Sequence, residues 1–279
     1  MPNSPSNPID AALVRFGLEE FRPGQRRVIN ALLEGRNALA VFPTGGGKSL
    51  CYQLPAQLLE GLTLVVSPLI ALMKDQVDAL RAKGIGAARF DSSQTADELA
   101  EVWRGLDTGE IKLLYVAPER LANATFRAKL RRFPIAMLAV DEAHCISEWG
   151  HNFRPDYLKL AGFAGELQAG RVLALTATAT PKVAADICER FGVAADDHVQ
   201  LSFRRDNLAI GVSPCQGADR DRLLLDKLAS AGGATVVYVT LQFTAERVAT
   251  FLVKNGVNAK AYHAGLRDDY RAEVQEMFM

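Results

Sequence analysis

The stretch NALAVFPTGGGKSLCYQ, residues 37–53, decides the fold. A short apolar run, NALAVF, gives way to three consecutive glycines and then to a helix-compatible segment. Gly45, Gly46 and Gly47 let the backbone turn tightly and leave N–H groups free to face an anion. Thr44 leads into that turn. The helix that follows adds the positive end of its dipole. Lys48 can reach the outer phosphates of a nucleotide, and the Ser49 hydroxyl can ligate Mg²⁺. The pattern G-x-x-x-x-G-K-[ST] is matched except at its first position, which is Phe42. A glycine-rich turn that binds nothing is the bland alternative, and the strand–loop–helix context argues against it.

Further apolar runs follow at LTLVVS, KLLYVAP, IAMLAVD and RVLALTA. They are apolar throughout rather than alternating, as parallel strands covered on both faces are. Amphipathic stretches such as PLIALMKDQVDALRAKG and TADELAEVWRGL lie between them. Repeated strand–helix units with right-handed crossovers give an α/β, doubly wound parallel sheet. The expected first domain spans residues 10–205, after a polar, proline-rich tail at 1–9 that is expected to be disordered. A linker is expected at 206–218 and a second unit at 219–279, with helices in DRDRLLLDKLAS, LQFTAERVATFLVKNG and RDDYRAEVQEMFM. Strands are expected there at ATVVYVT and NAKAYHAG. Two strands make a poor core, so the sequence reads as stopping inside this second domain.

The composition is that of a globular protein. Of 279 residues 49% are hydrophobic and 23% charged, and 32 basic residues balance 32 acidic ones. A neutral total excludes a uniformly basic coat but not a local basic face. The cysteines, Cys51, Cys145, Cys188 and Cys215, form no C-x-x-C pair and fit a reducing compartment. No apolar run approaches the ~20 residues of a membrane span. The expected location is the cytoplasm, with no membrane partner.

A phosphate loop that holds Mg²⁺ and ATP needs an acidic partner from a nearby strand end. Asp141 and Glu142 close the IAMLAV strand, and ligands of open parallel sheets sit at such carboxyl ends. Asp141 is assigned to the Mg²⁺ shell and Glu142 to polarising the attacking water. An acidic helix cap is the structural alternative. A zinc cluster of His144, Cys145, Glu148 and His151 matches no known spacing template. A basic stretch, Arg120, Arg127, Lys129, Arg131 and Arg132, reads either as a contact to nucleic-acid phosphates, with Arg120 the best candidate, or as a solvated helix face.

The segments FRPGQ (21–25), TGGGKS (44–49), SPLIALMKDQ (67–76), APERL (117–121), DEAHCISEWGHNFRPDY (141–157), LTATAT (175–180) and YHAGL (262–266) together resemble the RecQ family of superfamily 2 DNA helicases. The resemblance implies a RecA-like first domain, part of a second RecA-like domain, ATP and Mg²⁺ as cofactors, and single-stranded and partly duplex DNA as partner. It implies unwinding in the 3′-to-5′ direction by a monomer acting in DNA repair and recombination. By position Arg22 and Gln25 match the adenine-reading motif, while Leu18 stands where many members carry a stacking aromatic. Lys48, Asp141, Glu142 and His144 fall on the catalytic motifs. Thr176 and Thr178 fall on the motif that links nucleotide state to domain movement. Trp149, His151, Phe153 and Arg154 fall on an aromatic-rich loop, where aromatic faces can stack on unpaired bases of any sequence. Nothing after His263 resembles the family's arginine-bearing GRAGR segment. The expectation is therefore a chain that binds nucleotide but turns it over and unwinds DNA poorly, and strong unwinding by the 279-residue chain would refute it. A superfamily 2 RNA helicase, a non-catalytic nucleotide-dependent DNA-binding fragment, and a P-loop kinase or transport ATPase are the competing readings.

Overall fold

The computed structural model describes residues 7–149, 153–203 and 208–278. The chain divides into two units, 1–205 and 206–279.

The first unit is built on seven strands: β1 (Ala38–Val41), β2 (Leu62–Val66), β3 (Ala87–Phe90), β4 (Leu113–Val116), β5 (Ile135–Val140), β6 (Val172–Thr176) and β7 (His198–Gln200). Their order is β3-β4-β2-β5-β6-β1-β7, and every pairing is parallel. The unbroken apolar runs have a simple cause. Successive side chains point to opposite faces, and both faces are covered. Leu39, Val41, Leu64, Val66, Leu138 and Val140 belong to one buried cluster. Ala38, Ala40, Val65, Met137, Ala139 and Leu173 belong to the other.

Two strands that the apolar-run reading passed over, β3 and β7, are the two edges of the sheet. Both are short, and Arg89 in β3 and His198 and Gln200 in β7 leave no continuous apolar signal. The expected tail at 1–9 ends sooner, and its residues 1–6 lie outside the described residues. A helix begins at Pro8, because Asn7 accepts a hydrogen bond from Ile9 N–H at 3.0 Å and proline suits the first helical turn.

The second unit contains helices Arg220–Ala229, Gln242–Lys254 and Asp268–Phe278, as its helical periodicity predicts. Arg247 grips Asp221 through two bonds of 2.6 and 3.1 Å, tying the first two helices together. The strands expected at ATVVYVT and NAKAYHAG are not formed among the described residues. Their β-branched and aromatic composition favours extended backbone, but a strand exists only when its N–H and C=O groups find a neighbour. Val236 and Tyr238 remain exposed. Among the described residues no helix is long and apolar enough to cross a membrane.

Gly86 gives a direct test of the β3–β4 register. A Cβ built there would lie 1.7 Å from the Glu110 carbonyl oxygen, which belongs to the backbone and cannot swing away. Gly86→Ala is expected to cost at least about 1–3 kcal/mol in urea unfolding. Gly162, in the helix Leu160–Glu166, has nothing within 4 Å of its would-be Cβ. Gly162→Ala should gain about 0.5–1 kcal/mol in the same assay.

Candidate active site

Parallel register brings the functional segments side by side. Val41 of β1 pairs with Thr176 of β6, and Val140 of β5 pairs with Ala174 of β6. The pairing runs on past the strand ends, since Phe42 N–H donates to Thr176 O at 3.1 Å and Asp141 N–H donates to Val66 O at 2.9 Å. The glycine loop, the acidic pair and the threonines of LTATAT therefore leave the sheet at one edge. Phe42 is fully buried and still paired in the sheet. That explains the departure from the phosphate-loop pattern at its first position: the turn begins after Phe42, so no glycine is required there.

The loop itself is braced from the segment that precedes it in sequence. Gly45 and Gly47 adopt φ of 79° and 76°. Gln25 Nε2 donates to Gly47 O at 2.9 Å, Gln25 Oε1 accepts from Arg22 N–H at 2.8 Å, and the Arg22 guanidinium donates to Gly45 O. A Cβ on Gly47 would come within 2.4 Å of Gln25 Nε2. The two residues expected to read adenine thus hold the loop's carbonyls, while Gly46 N–H donates to Pro43 O at 2.9 Å within the loop. Lys48 Nζ donates to Phe42 O at 3.2 Å, folded back along its own loop. Ser49 stands at the entry to the helix Leu50–Gln53.

At the end of β5 the Asp141 carboxylate accepts from Glu142 N–H at 3.0 Å and from Ser67 Oγ–H at 3.5 Å. Burial, reinforced by the nearby Glu142 charge, pushes Asp141 up to about 6, against the pull of the Glu142 N–H, the Lys48 ammonium and Ser67. A half-buried carboxylate held this way gains from an added cation. Glu142 occupies the left-handed region, φ 50° and ψ 40°, unusual for a residue with a side chain. Its side chain is thereby turned back so that Oε2 lies 3.2 Å from His144 Nδ1. The same nitrogen lies 2.9 Å from Thr176 Oγ1, which itself donates to Thr178 O at 3.1 Å. His144 joins the ends of β5 and β6. Hydrogen bonding to Cys145 and then to Glu142 lifts its imidazole to about 9, against the opposing effect of burial.

The segment after the acidic pair is anchored at both sides. Ser147, fully buried, donates to Asp186 Oδ2 at 2.6 Å and accepts from Trp149 N–H at 3.3 Å. Further on, Arg154 N–H donates to Cys145 O at 3.0 Å, and the buried Tyr157 hydroxyl donates to Asp141 O at 3.1 Å. Trp149 is 64% exposed and Phe153 37%. Arg154 and Thr178 are exposed, whereas Thr176 is buried. His151 lies outside the described residues.

The basic stretch has other commitments. Arg120 donates to Asp91 O at 2.9 Å and lies over the Phe90 ring. Arg127 and Arg131 both pair with Glu166, and Arg132 pairs with Asp107. Lys129 sits over the Trp103 ring. Among the described residues no group of three His, Cys, Asp or Glu side chains is arranged to hold a metal ion. Ser67 and Tyr157, which grip Asp141 from either side, were legible only as members of the quoted SPLIALMKDQ and RPDY segments.

The DEAD/DEAH box helicase family matches residues 22–187. The chain is 45% identical over 268 residues to the ATP-dependent DNA helicase RecQ of Bacillus subtilis, covering 95% of this chain and 45% of that protein. It is 43% identical over 263 residues to the ATP-dependent DNA helicase RecQ of Haemophilus influenzae, covering 94% of this chain and 42% of that one. The chain thus spans under half the length of these curated relatives. In fold it is similar to the crystal structure of the DUF1998 helicase MrfA bound to DNA, with a TM-score of 0.71 at 18% identity over 99% of this chain and 41% of the other.

The geometry around His144 sets a pH expectation. A folded-state value raised from 6.5 to about 9 means that the imidazolium stabilises the fold fully below the unfolded value. That contribution is lost as pH climbs from about 6.5 through about 9. Histidine NMR should show one resonance titrating near 9. Glu142→Gln should bring it down, and a wild-type value of 6.5 would contradict the Glu142–His144 contact.

Proposed function

This chain belongs to the DEAD/DEAH box helicase family, and from that premise we propose that it is the nucleotide-binding motor portion of an ATP-dependent DNA helicase of RecQ type. The observation that carries the proposal is the common strand edge: the glycine loop, the Asp141–Glu142 pair and the exposed Trp149 all follow from β1 and β5, with β6 between them.

The residues fit Mg²⁺ and ATP. The half-buried Asp141 carboxylate, raised by burial and by the Glu142 charge, calls for a cation, and the Ser49 hydroxyl is the second donor. Bound Mg²⁺ would neutralise phosphate charge and orient the terminal phosphoryl group. The loop N–H groups of Gly45 and Gly47 bind phosphate oxygens, and Gly46 N–H joins them on leaving Pro43 O, with Thr44 at the loop's entry. Lys48 exchanges its own Phe42 carbonyl for the outer phosphates. Glu142 holds the attacking water and draws on its proton, and His144 keeps the Glu142 carboxylate aimed. Thr176 and Thr178 connect this junction to the segment after β6. Arg22 and Gln25, beside the loop, are the adenine-side contacts.

Trp149, His151, Phe153 and Arg154 meet single-stranded DNA by stacking and by phosphate contact. Coupling requires DNA and nucleotide to favour one arrangement of the segment from Asp141 to Tyr157. Tyr157 and Arg154 supply the mechanical link, because both bond to backbone carbonyls at or near the acidic pair. Arg120 is a secondary phosphate contact, available only by leaving Asp91 O. Unwinding in the 3′-to-5′ direction, action in repair and recombination, a cytoplasmic location and a monomeric state belong to the same proposal. An RNA helicase would share the nucleotide chemistry; unwinding of matched DNA and RNA duplexes by the full-length protein separates the two.

Lys48→Ala is expected to abolish binding of a fluorescent ATP analogue and all nucleotide-driven activity, with unfolding stability changed by no more than about 0.5 kcal/mol. Trp149→Ala should weaken single-stranded DNA binding by about 1–3 kcal/mol, roughly 5- to 150-fold, while leaving ATP affinity unchanged. Equal loss of both affinities at normal stability would refute the separation of roles.

A further inference from the structure

Helix Pro181–Phe191 follows the LTATAT segment and is assigned no part in the motor described above. Two of its residues, Lys182 and Asp186, stand four apart and so share a helix face. That face meets the loop after the acidic pair. Lys182 Nζ lies 3.1 Å from the centroid of the Trp149 ring, and Asp186 Oδ2 accepts the Ser147 hydroxyl at 2.6 Å. Ser147 in turn accepts the Trp149 N–H, so Asp186 fixes the backbone that carries the indole. The indole remains 64% exposed, so it is not packed into the core; its principal partner here is a cation laid on one face.

We infer that Lys182 and Asp186 are positioning residues: Asp186 seats the loop through Ser147, and Lys182 occupies the Trp149 face that a nucleobase would need. The inference rests on the DNA reading given above for its purpose, but the seat itself is a property of the free chain. A base stacking on that face must first displace the ammonium. Lys182 thereby sets a threshold for strand capture, and once displaced it remains beside the strand's phosphates. The same helix starts directly after the segment that Thr176 ties to His144. Loop position is therefore referenced to the strand that lies between the acidic pair and the glycine loop.

The experiment uses Trp149 emission, corrected by subtracting the signal of Trp149→Phe, which retains only Trp103. Acrylamide quenching is measured for wild type, Lys182→Met, Asp186→Ala and Asp186→Asn. Lys182→Met should raise the quenching constant, and at high salt, where phosphate attraction is screened, it should tighten oligothymidylate binding by about two- to five-fold, the worth of an exposed cation–aromatic contact. Asp186→Ala should raise quenching and weaken oligothymidylate binding, while Asp186→Asn, which keeps an acceptor for Ser147, should restore both. ATP affinity should stay at the wild-type value in all three. Unchanged quenching in both Lys182→Met and Asp186→Ala would overturn the inference. If quenching responds as expected but no variant and no wild type binds oligothymidylate, the seat stands and the DNA reading falls.

Discussion

The pairing of β6 between β1 and β5 is the constraint on which the rest depends. A parallel sheet puts every carboxyl end on one side, but only adjacency places particular ends within bonding distance. Because Val41 is in register with Thr176 and Val140 with Ala174, three chemically different segments emerge abreast. The glycine loop carries the positive groups, the β5 end the acids, and the β6 end a hydroxyl that accepts from the imidazole joining them. Shifting β6 by one residue would turn Thr176 to the other face of the sheet and unmake the His144 contact.

Charge is handled locally in this structure. The formal balance of zero conceals a site where like charges are pressed together, Asp141 against Glu142, in partial burial. Most of the surface basic run is, by contrast, already committed: Glu166 pairs with Arg127 and Arg131, Asp107 pairs with Arg132, and Arg120 donates to the Asp91 backbone carbonyl. Exposed pairs of this sort contribute little to stability, yet they remove much of the attraction that a count of arginines in the sequence suggests. Under the proposed DNA reading, strand sensing then falls to aromatic faces more than to charge, and the positioning of those faces to the few hydrogen bonds around Ser147 and Tyr157.

Much of this was legible in the sequence, for physical reasons that also mark where legibility stopped. TGGGKS between an apolar run and a helix fixes a phosphate-loop geometry because few other backbones need three glycines followed by a lysine. IAMLAV ending in Asp141 and Glu142 places the acids because a buried strand must end where charge begins. The edges β3 and β7 escaped because a short, half-polar strand carries no run. The expected strands of the second unit failed for the opposite cause: ATVVYVT has the local preference, while pairing is a property of its neighbours. Lys182 and Asp186 could not be found at all. Their partners are 33 and 39 positions away (182 − 149 and 186 − 147), and nothing in KVAADICER distinguishes that helix from any other amphipathic one.

The left-handed backbone at Glu142 carries a consequence for how this protein can change. A side chain held at φ 50° costs on the order of 1–2 kcal/mol that glycine would not incur and asparagine would incur less. Selection for robustness alone would push position 142 toward those small residues and erase the carboxylate that bonds to His144. Under the proposed function the acid is kept at the expense of thermal resilience, and a lineage freed from nucleotide turnover should lose it early, leaving a sturdier and inert relative.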